Sequence, residues 1–461
     1  MLGACGGSNT TTAPDGALVD GAAPSFEERS GTRLKRRGHE VDGTKLLASI
    51  FDVMRGELCR PVPWRDGQTY CAPAQQTGSV VYADAACTQT IGLASATDCD
   101  GPARYFVEHE VDTCSSVASH LYVAGDVLAA TTYYIRSETS CIPSSVFAPY
   151  EVLRRLGPEV PVSDLVPLAI SEPVGEHRLR QRFYESADGL RFAATLHDAV
   201  LDESCSLFGQ SSLSCLPHNT LDASMFGEAS CTRHVAVKYS TCTAPRFAIH
   251  PQQAFCAFPS YELFRVGEEV AAPMMYRSTS ASTCVSTDIG DRPVFELGEP
   301  VEMSTATPVY TGTSPRVQAT YAASSEGDAF PLRTFFDHGK QTTCVVDRAE
   351  DNTLRCLPHA ASVLHYFRDA ACTNAIEVLR VYRGPQGCAA VTKPAFARDV
   401  LGNLDPCTAQ QRIRAVGEPY AGPLFQSSDS CDPVSLTNAT FFEVGATVPP
   451  AEFALAQVIT E

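Results

Sequence analysis

Tyr82-Ala83-Asp84-Ala85-Ala86-Cys87-Thr88 recurs as Phe226-Gly227-Glu228-Ala229-Ser230-Cys231-Thr232 and again as Phe367-Arg368-Asp369-Ala370-Ala371-Cys372-Thr373. Each copy sits at the third of six cysteines. The sets are Cys59, Cys71, Cys87, Cys99, Cys114, Cys141; Cys205, Cys215, Cys231, Cys242, Cys256, Cys284; and Cys344, Cys356, Cys372, Cys388, Cys407, Cys431. Their gaps run 12, 16, 12, 15, 27, then 10, 16, 11, 14, 28, then 12, 16, 16, 19, 24. One unit of roughly 140 residues therefore occurs three times, carrying a disulfide framework.

Other landmarks recur around this stretch. Units open with Arg33-Leu34, Arg178-Leu179 and Arg316-Val317, then reach the acid-Gly pairs Asp42-Gly43, Asp188-Gly189 and Glu326-Gly327. Such a pair signals a tight turn between two strands. Asp52, Asp198 and Asp337 each precede the first cysteine by seven positions. Short runs such as Gly78-Ser79-Val80-Val81-Tyr82 and Thr132-Tyr133-Tyr134-Ile135 are β-branched and aromatic, with turn residues between them. Helical periodicity is not sustained, so the chain reads as all-β.

Each unit divides into two halves, the first with four cysteines and the second with two. Six halves at the length of a four-stranded sheet predict a closed six-bladed β-propeller, with three packed β-sandwich-like domains as the alternative. The C-terminal run Phe453–Glu461 matches Leu165–Ile170 and is expected to complete the sheet begun near Arg33, closing the ring. Residues 32–461 form the repeat body, as units 32–170, 171–310 and 311–461; residues 6–31, rich in Gly, Ser, Thr, Ala and Pro, form a flexible tether.

Six cysteines allow fifteen pairings per unit. Short gaps suit neighbouring strands, so sequential pairing is expected: Cys59–Cys71, Cys87–Cys99, Cys114–Cys141; Cys205–Cys215, Cys231–Cys242, Cys256–Cys284; Cys344–Cys356, Cys372–Cys388, Cys407–Cys431.

Paired cysteines place the protein in an oxidising compartment. The net charge of −18 excludes a general nucleic-acid binder, because nothing in it neutralises phosphates. Residues 1–5, Met1-Leu2-Gly3-Ala4-Cys5, resemble the end of a bacterial lipoprotein signal peptide, and this resemblance implies lipidation at Cys5. A translation start upstream of Met1 is then expected. The repeat body resembles cysteine-rich bacterial lipoproteins carrying triplicated Tyr-x-Asp-Ala-x-Cys-Thr motifs. That resemblance implies an exported protein, held at the outer membrane or cell surface by lipid, and imports no activity.

Motifs for chemistry are sparse. There is no Gly-x-Ser-x-Gly, no P-loop and no Cys-x-x-Cys. His39-Glu40 and His109-Glu110 start like a zincin helix, but each lacks a histidine four residues after the first. No metal or cofactor is expected. Asp52, Asp198, Asp337 and the acids Asp84, Glu228, Asp369 repeat in every unit, which marks them as turn-forming groups. Function is therefore sought where the units differ. Trp64, the single tryptophan, lies with Arg65 and Asp66 at an expected hairpin tip and is read as an exposed platform for a sugar or protein. The expected role is a binding or scaffold module for a polysaccharide or protein. The alternative is a glycosidase-like hydrolase with carboxylates converging on a central channel.

Overall fold

A computed structural model describes residues 28–461 except 75–76, 96–102, 113–114, 137–139, 148–150, 210–211, 239–244, 253–259, 271–273, 281–282, 291, 383–392, 402–409, 428–430 and 435–438. The described chain is all-β apart from two single 3-10 turns, and it forms three similar units. The first contains β1 (Leu34–Val41), β2 (Thr44–Asp52), β3 (Glu57–Pro63), β4 (Thr69–Pro73), β5 (Thr77–Tyr82), β6 (Thr90–Ser95), β7 (Tyr105–Asp112), β8 (Ser115–Leu128), β9 (Thr132–Arg136), β10 (Cys141–Ser145), β11 (Glu151–Glu159) and β12 (Val166–Ile170). The second runs from β13 (Leu179–Glu185) to β24 (Thr305–Thr311), and the third from β25 (Val317–Ser324) to β36 (Ala456–Thr460).

The halves of each unit are of two kinds. In the first half, β1 to β4 make an antiparallel meander, and β12 pairs with β4 on one side and with β13 of the next unit on the other. Repeated three times, this gives one sheet of 15 strands. Its two ends meet. β36 pairs with β1, from Arg37↔Thr460 to Val41↔Ala456, and Leu455 bridges Arg355 while the Cys356 N–H donates to the Ala454 carbonyl at 2.9 Å. The sheet is thus a closed ring, and the C-terminal strand is the element that closes it.

The second half is a separate small barrel. β5, β6, β11, β8 and β7 pair in that order, and β7 returns to β5 in parallel, with Thr77 opposite Tyr105. The β9–β10 hairpin hangs from β5 through Tyr82↔Tyr134. The other units repeat this arrangement. Six equivalent propeller blades are therefore not the form taken; the chain forms three repeated units that pack together, each with a small barrel of its own. Linking strands keep the meanders hydrogen-bonded to one another, so no meander has the free edge of a blade.

The ring is interlocked by its hairpins. Asp42 and Gly43 take φ values of 51° and 80°, the doubly positive turn that their sequence announces. Each hairpin then enters the core of a neighbouring meander. Leu190 and Phe192 of the second unit pack among Leu34, Ile50 and the Cys59–Cys71 bridge of the first. Phe330 of the third packs with Leu179, Leu196 and Cys205–Cys215 of the second. Val41 and Leu46 of the first pack with Val317, Phe335 and Cys344–Cys356 of the third. Burying one such side chain is worth about 1.5–3 kcal/mol, so no meander core is complete without its neighbour.

Polar locks follow the same cycle. Asp188 accepts the N–H groups of Arg33 and Leu34 at 2.6 and 2.8 Å, and Glu326 accepts that of Arg178 at 2.9 Å. Asp42 accepts the Ser314 hydroxyl, whose oxygen accepts the Arg316 N–H at 3.0 Å.

Disulfides staple both halves. The first two cysteines of each unit join β-strands of the meander: Cys59–Cys71, Cys205–Cys215 and Cys344–Cys356. The third joins the sixth, as Cys87–Cys141, Cys231–Cys284 and Cys372–Cys431, with Cα atoms 5.9 Å apart in each case. This corrects the sequential expectation, which joined Cys87 to Cys99, Cys231 to Cys242 and Cys372 to Cys388, and Cys114 to Cys141, Cys256 to Cys284 and Cys407 to Cys431. The reason is the barrel topology. The dependent hairpin folds back onto the strand that leads into the third cysteine, across more than 50 residues. Cys99, Cys114, Cys242, Cys256, Cys388 and Cys407 lie outside the described residues, as does Cys5. The six bridges fit an extracellular or otherwise oxidising environment. Among the described residues, no helix is long and apolar enough to cross a membrane.

Candidate functional site

The repeated acids serve the fold. Asp52, Asp198 and Asp337 are almost fully buried at the turn after the second strand of each unit. Arg33 and Arg178 reach their aspartates at 2.7 and 3.0 Å, and Arg316 reaches Asp337 at 3.5 Å. Asp52 also takes the N–H of Met54 at 3.0 Å, Asp198 that of Val200 at 3.0 Å, and Asp337 that of Lys340 at 3.1 Å. Burial alone would raise the Asp198 pKa, but hydrogen bonds from Arg178, Ser304 and the Leu201 amide outweigh it and lower the pKa. Asp84 is held low by the Gln89 and Thr88 amides and the Thr88 hydroxyl, and Asp369 by the amides of Thr373 and Asn374. These turns put Cys87, Cys231 and Cys372 at φ 51–52° and aim their sulfurs at the hairpin cysteines.

Trp64 is not the exposed platform that its place in the sequence predicts. It is 5% exposed, packed with Val107, Ala118 and Leu121 and edge-on to Tyr70 at 5.9 Å. It forms a bridge to Ala118, and the Arg65 N–H donates to the Ala118 carbonyl at 3.0 Å. The hairpin tip thus docks on β8 of its own unit, and Trp64 is the dowel. Arg65 and Asp66 remain exposed. Arg65 lies 3.2 Å from His120 Nε2 and 3.7 Å from Glu110, His120 Nδ1 meets Glu159 at 2.7 Å, and Asp66 accepts the Tyr70 hydroxyl at 2.8 Å. In the third unit Ala349 takes the place of Trp64 and bridges Gln411, and the neighbouring Glu350 pairs with Arg412 at 2.8 Å. Arg65 therefore belongs to a structural joint.

The units differ more at the seam between meander and barrel. In the first unit this seam opens into a pocket of about 420 Å³, lined by Arg37, His39, Ser49, Phe51, Glu57, Arg104 and Val458, with Gly38 and Gly56 at its backbone walls. The size falls within the range of small-molecule sites, about 300–1,000 Å³. Gly38 stands where the other units have Phe183 and Tyr321, and a Cβ there would come 1.9 Å from the Leu46 carbonyl oxygen. Arg37 stacks on Phe51 with its guanidinium carbon 4.6 Å from the ring centre. Glu57 holds Arg55 at 2.8 Å and Arg104 at 3.2 Å. Burial and the charge of Arg37 lower the pKa of His39, leaving a neutral imidazole at pH 7.

The equivalent surface is closed in the third unit, where Tyr310 and His338 pack on Phe336 at 4.4 and 4.9 Å. In the second unit His197 replaces Phe51, and Arg246 keeps the pairing of Arg104 with Glu57, here with Glu203, while also donating to the carbonyls of Leu201 and Asp202. Of the pocket residues the sequence singled out His39, as the start of a zincin pattern that it does not complete, and none was read as a site. Gly38 was the available signal, a glycine aligned with two aromatic residues. Among the described residues, no cluster of three or more His, Cys, Asp or Glu side chains is arranged to hold a metal ion.

A family model described as "Family of unknown function (DUF7481)" matches residues 13–453. No curated protein matches the chain, and no solved structure does.

Proposed function

For this chain, which belongs to the family of unknown function DUF7481, we propose the role of a non-catalytic binding or scaffold module whose ligand enters the seam pocket of the first unit. The observation that carries this reading is the broken symmetry at that seam. Three units share one interlocked, disulfide-stapled ring, yet the pocket of Arg37, Phe51 and Arg104 opens where the third unit has filled its surface with Tyr310 and His338. A scaffold held this rigidly presents a preorganised site, which lowers the entropic cost of binding.

The lipobox-like Leu2-Gly3-Ala4-Cys5 supports lipid anchoring at Cys5 and display at the outer membrane or cell surface. The ligand in this setting is a polysaccharide or a protein of the envelope. The test is a binding screen of the full oxidised chain against envelope polysaccharides, with Phe51→Ala alongside. Binding that weakens at least tenfold in this variant supports the site. Binding unchanged by it moves the function elsewhere, and cleavage of the polysaccharide overturns the non-catalytic role. Palmitate labelling that persists in Cys5→Ser would remove the anchor.

A further inference from the structure

We infer that the seam pocket recognises a sugar residue bearing a carboxylate, a uronic acid, with Arg37 as the group that takes the carboxylate. This rests on the binding-module reading above. The first ground is that Arg37 has no acidic partner among the described residues, although the chain carries 53 acids and its neighbours Arg33, Arg36, Arg55 and Arg104 are each paired with one. With the pocket's one carboxylate, Glu57, taken up by Arg55 and Arg104, the Arg37 guanidinium, its face steadied on Phe51, presents its fork to a ligand anion.

The second ground separates a sugar from an acidic peptide. Phe51 offers Arg37 the ring face that a neutral pyranose would stack on, so apolar stacking on that face is not the means of recognition. Glu57 lines the same pocket and would repel a second carboxylate, but it accepts hydrogen bonds from hydroxyls. Ser49 and the neutral His39 add further groups suited to hydroxyls. One anion beside several hydroxyls is the chemistry of a uronate. The overall charge of −18 does not forbid it, because charges beyond about 8 Å are largely screened at physiological salt.

The experiment titrates the full chain calorimetrically with digalacturonate and with the neutral digalactoside, in wild type, Arg37→Ala and Arg37→Lys, each first checked for an unchanged melting temperature. Digalacturonate should bind at least tenfold more tightly than the neutral sugar. Arg37→Ala should abolish that preference, and Arg37→Lys should keep part of it, because the charge remains while the fork is lost. Equal affinity for both sugars, untouched by Arg37→Ala, overturns the uronate and leaves the binding module standing. Displacement of digalacturonate by triglutamate would show that any carboxylate suffices and overturns the sugar assignment. No heat with either sugar, alongside a polysaccharide that binds in the screen, overturns the inference alone; silence in both experiments removes the module reading as well.

Discussion

Arg333 of the third unit donates to the Glu28 carboxylate at 3.2 Å, tying the segment that precedes the first unit into the place where all three units meet. The same guanidinium reaches the Leu47 carbonyl of the first unit at 2.9 Å and the Ala193 carbonyl of the second at 3.1 Å, and it lies 4.0 Å from the centre of the Phe192 ring. Leu47 and Ala193 hold matching positions in their units. The residues matching Arg333 are Ala48 and Ala194, so one long side chain serves all three units. Burial lowers the Arg333 pKa, opposed by the charge of Glu28. Glu28 also accepts the Ala193 N–H at 2.7 Å.

Replacing Glu28 by Gln should therefore destabilise the whole ring, because it leaves a half-buried arginine without its counterion. Breaking a fully buried pair costs about 3–5 kcal/mol, and the residual exposure of both groups reduces the expected loss to about 2 kcal/mol. Urea unfolding of the full chain measures it. A midpoint within error of wild type would show that the three carbonyl and ring contacts hold Arg333 alone.

Acid should loosen the interlocks before it touches the disulfides. The Asp198 pKa is lowered because hydrogen bonds outweigh burial, and the Asp188 pKa is lowered likewise by Ser186 and the amides of Leu34 and Arg33. A lowered carboxyl pKa adds stability that is fully present above the unfolded value, about 3.9, and is lost as the pH falls through the lower folded values. The melting temperature should hold from pH 7 to about 5 and fall below about 4. Asp198→Asn should unfold more easily at pH 7 by about 2 kcal/mol and show a shallower acid loss.

Proteolysis of the oxidised protein without reductant should recover the peptide of Cys87 linked to that of Cys141. On the chain-entropy account a bridge spanning 54 residues contributes about 4 kcal/mol, and one spanning 12 residues about 3 kcal/mol. Cys87→Ser/Cys141→Ser should thus cost more than Cys59→Ser/Cys71→Ser. The reverse order would show that native packing, and not loop closure, sets the contribution of these bridges.

Trp64→Ala should cost about 3–5 kcal/mol through the cavity it leaves between the hairpin tip and β8. Ligand affinity at the seam pocket should stay within about twofold when measured well below the melting temperature, since Trp64 lines none of it. A variant that binds tenfold more weakly while remaining folded would relocate the site to the hairpin.

Truncation after Ala451 removes β36 and the fully buried Phe453, leaving β1 and the strand of Arg355 as open edges. A loss of at least about 4 kcal/mol and a tendency to aggregate are expected, read by thermal scanning and light scattering. An unchanged melting temperature would mean that the ring is stable open.

The sequence by itself determined the all-β class, the three units, the turn at Asp42-Gly43 and the structural role of the repeated aspartates. Each of these rests on local chemistry: strand propensity, the φ preference of a particular residue, or a carboxylate within reach of its own turn amides. The match of Phe453–Glu461 to Leu165–Ile170 likewise pointed to the closing strand. Only the tertiary structure decided how the units join. Period-2 patterning tells a strand which face to bury but not which neighbour to pair with. The meanders therefore merged into one ring where separate blades were expected, and Cys87 found Cys141 across a barrel where the shorter gap pointed to Cys99. The same gap hid the seam pocket. Arg37 and Phe51 share the β1–β2 hairpin, but Arg104 comes from the far-off start of the barrel, and what brings it to them is the packing of a barrel against a meander, a relationship between surfaces that no single stretch of sequence encodes.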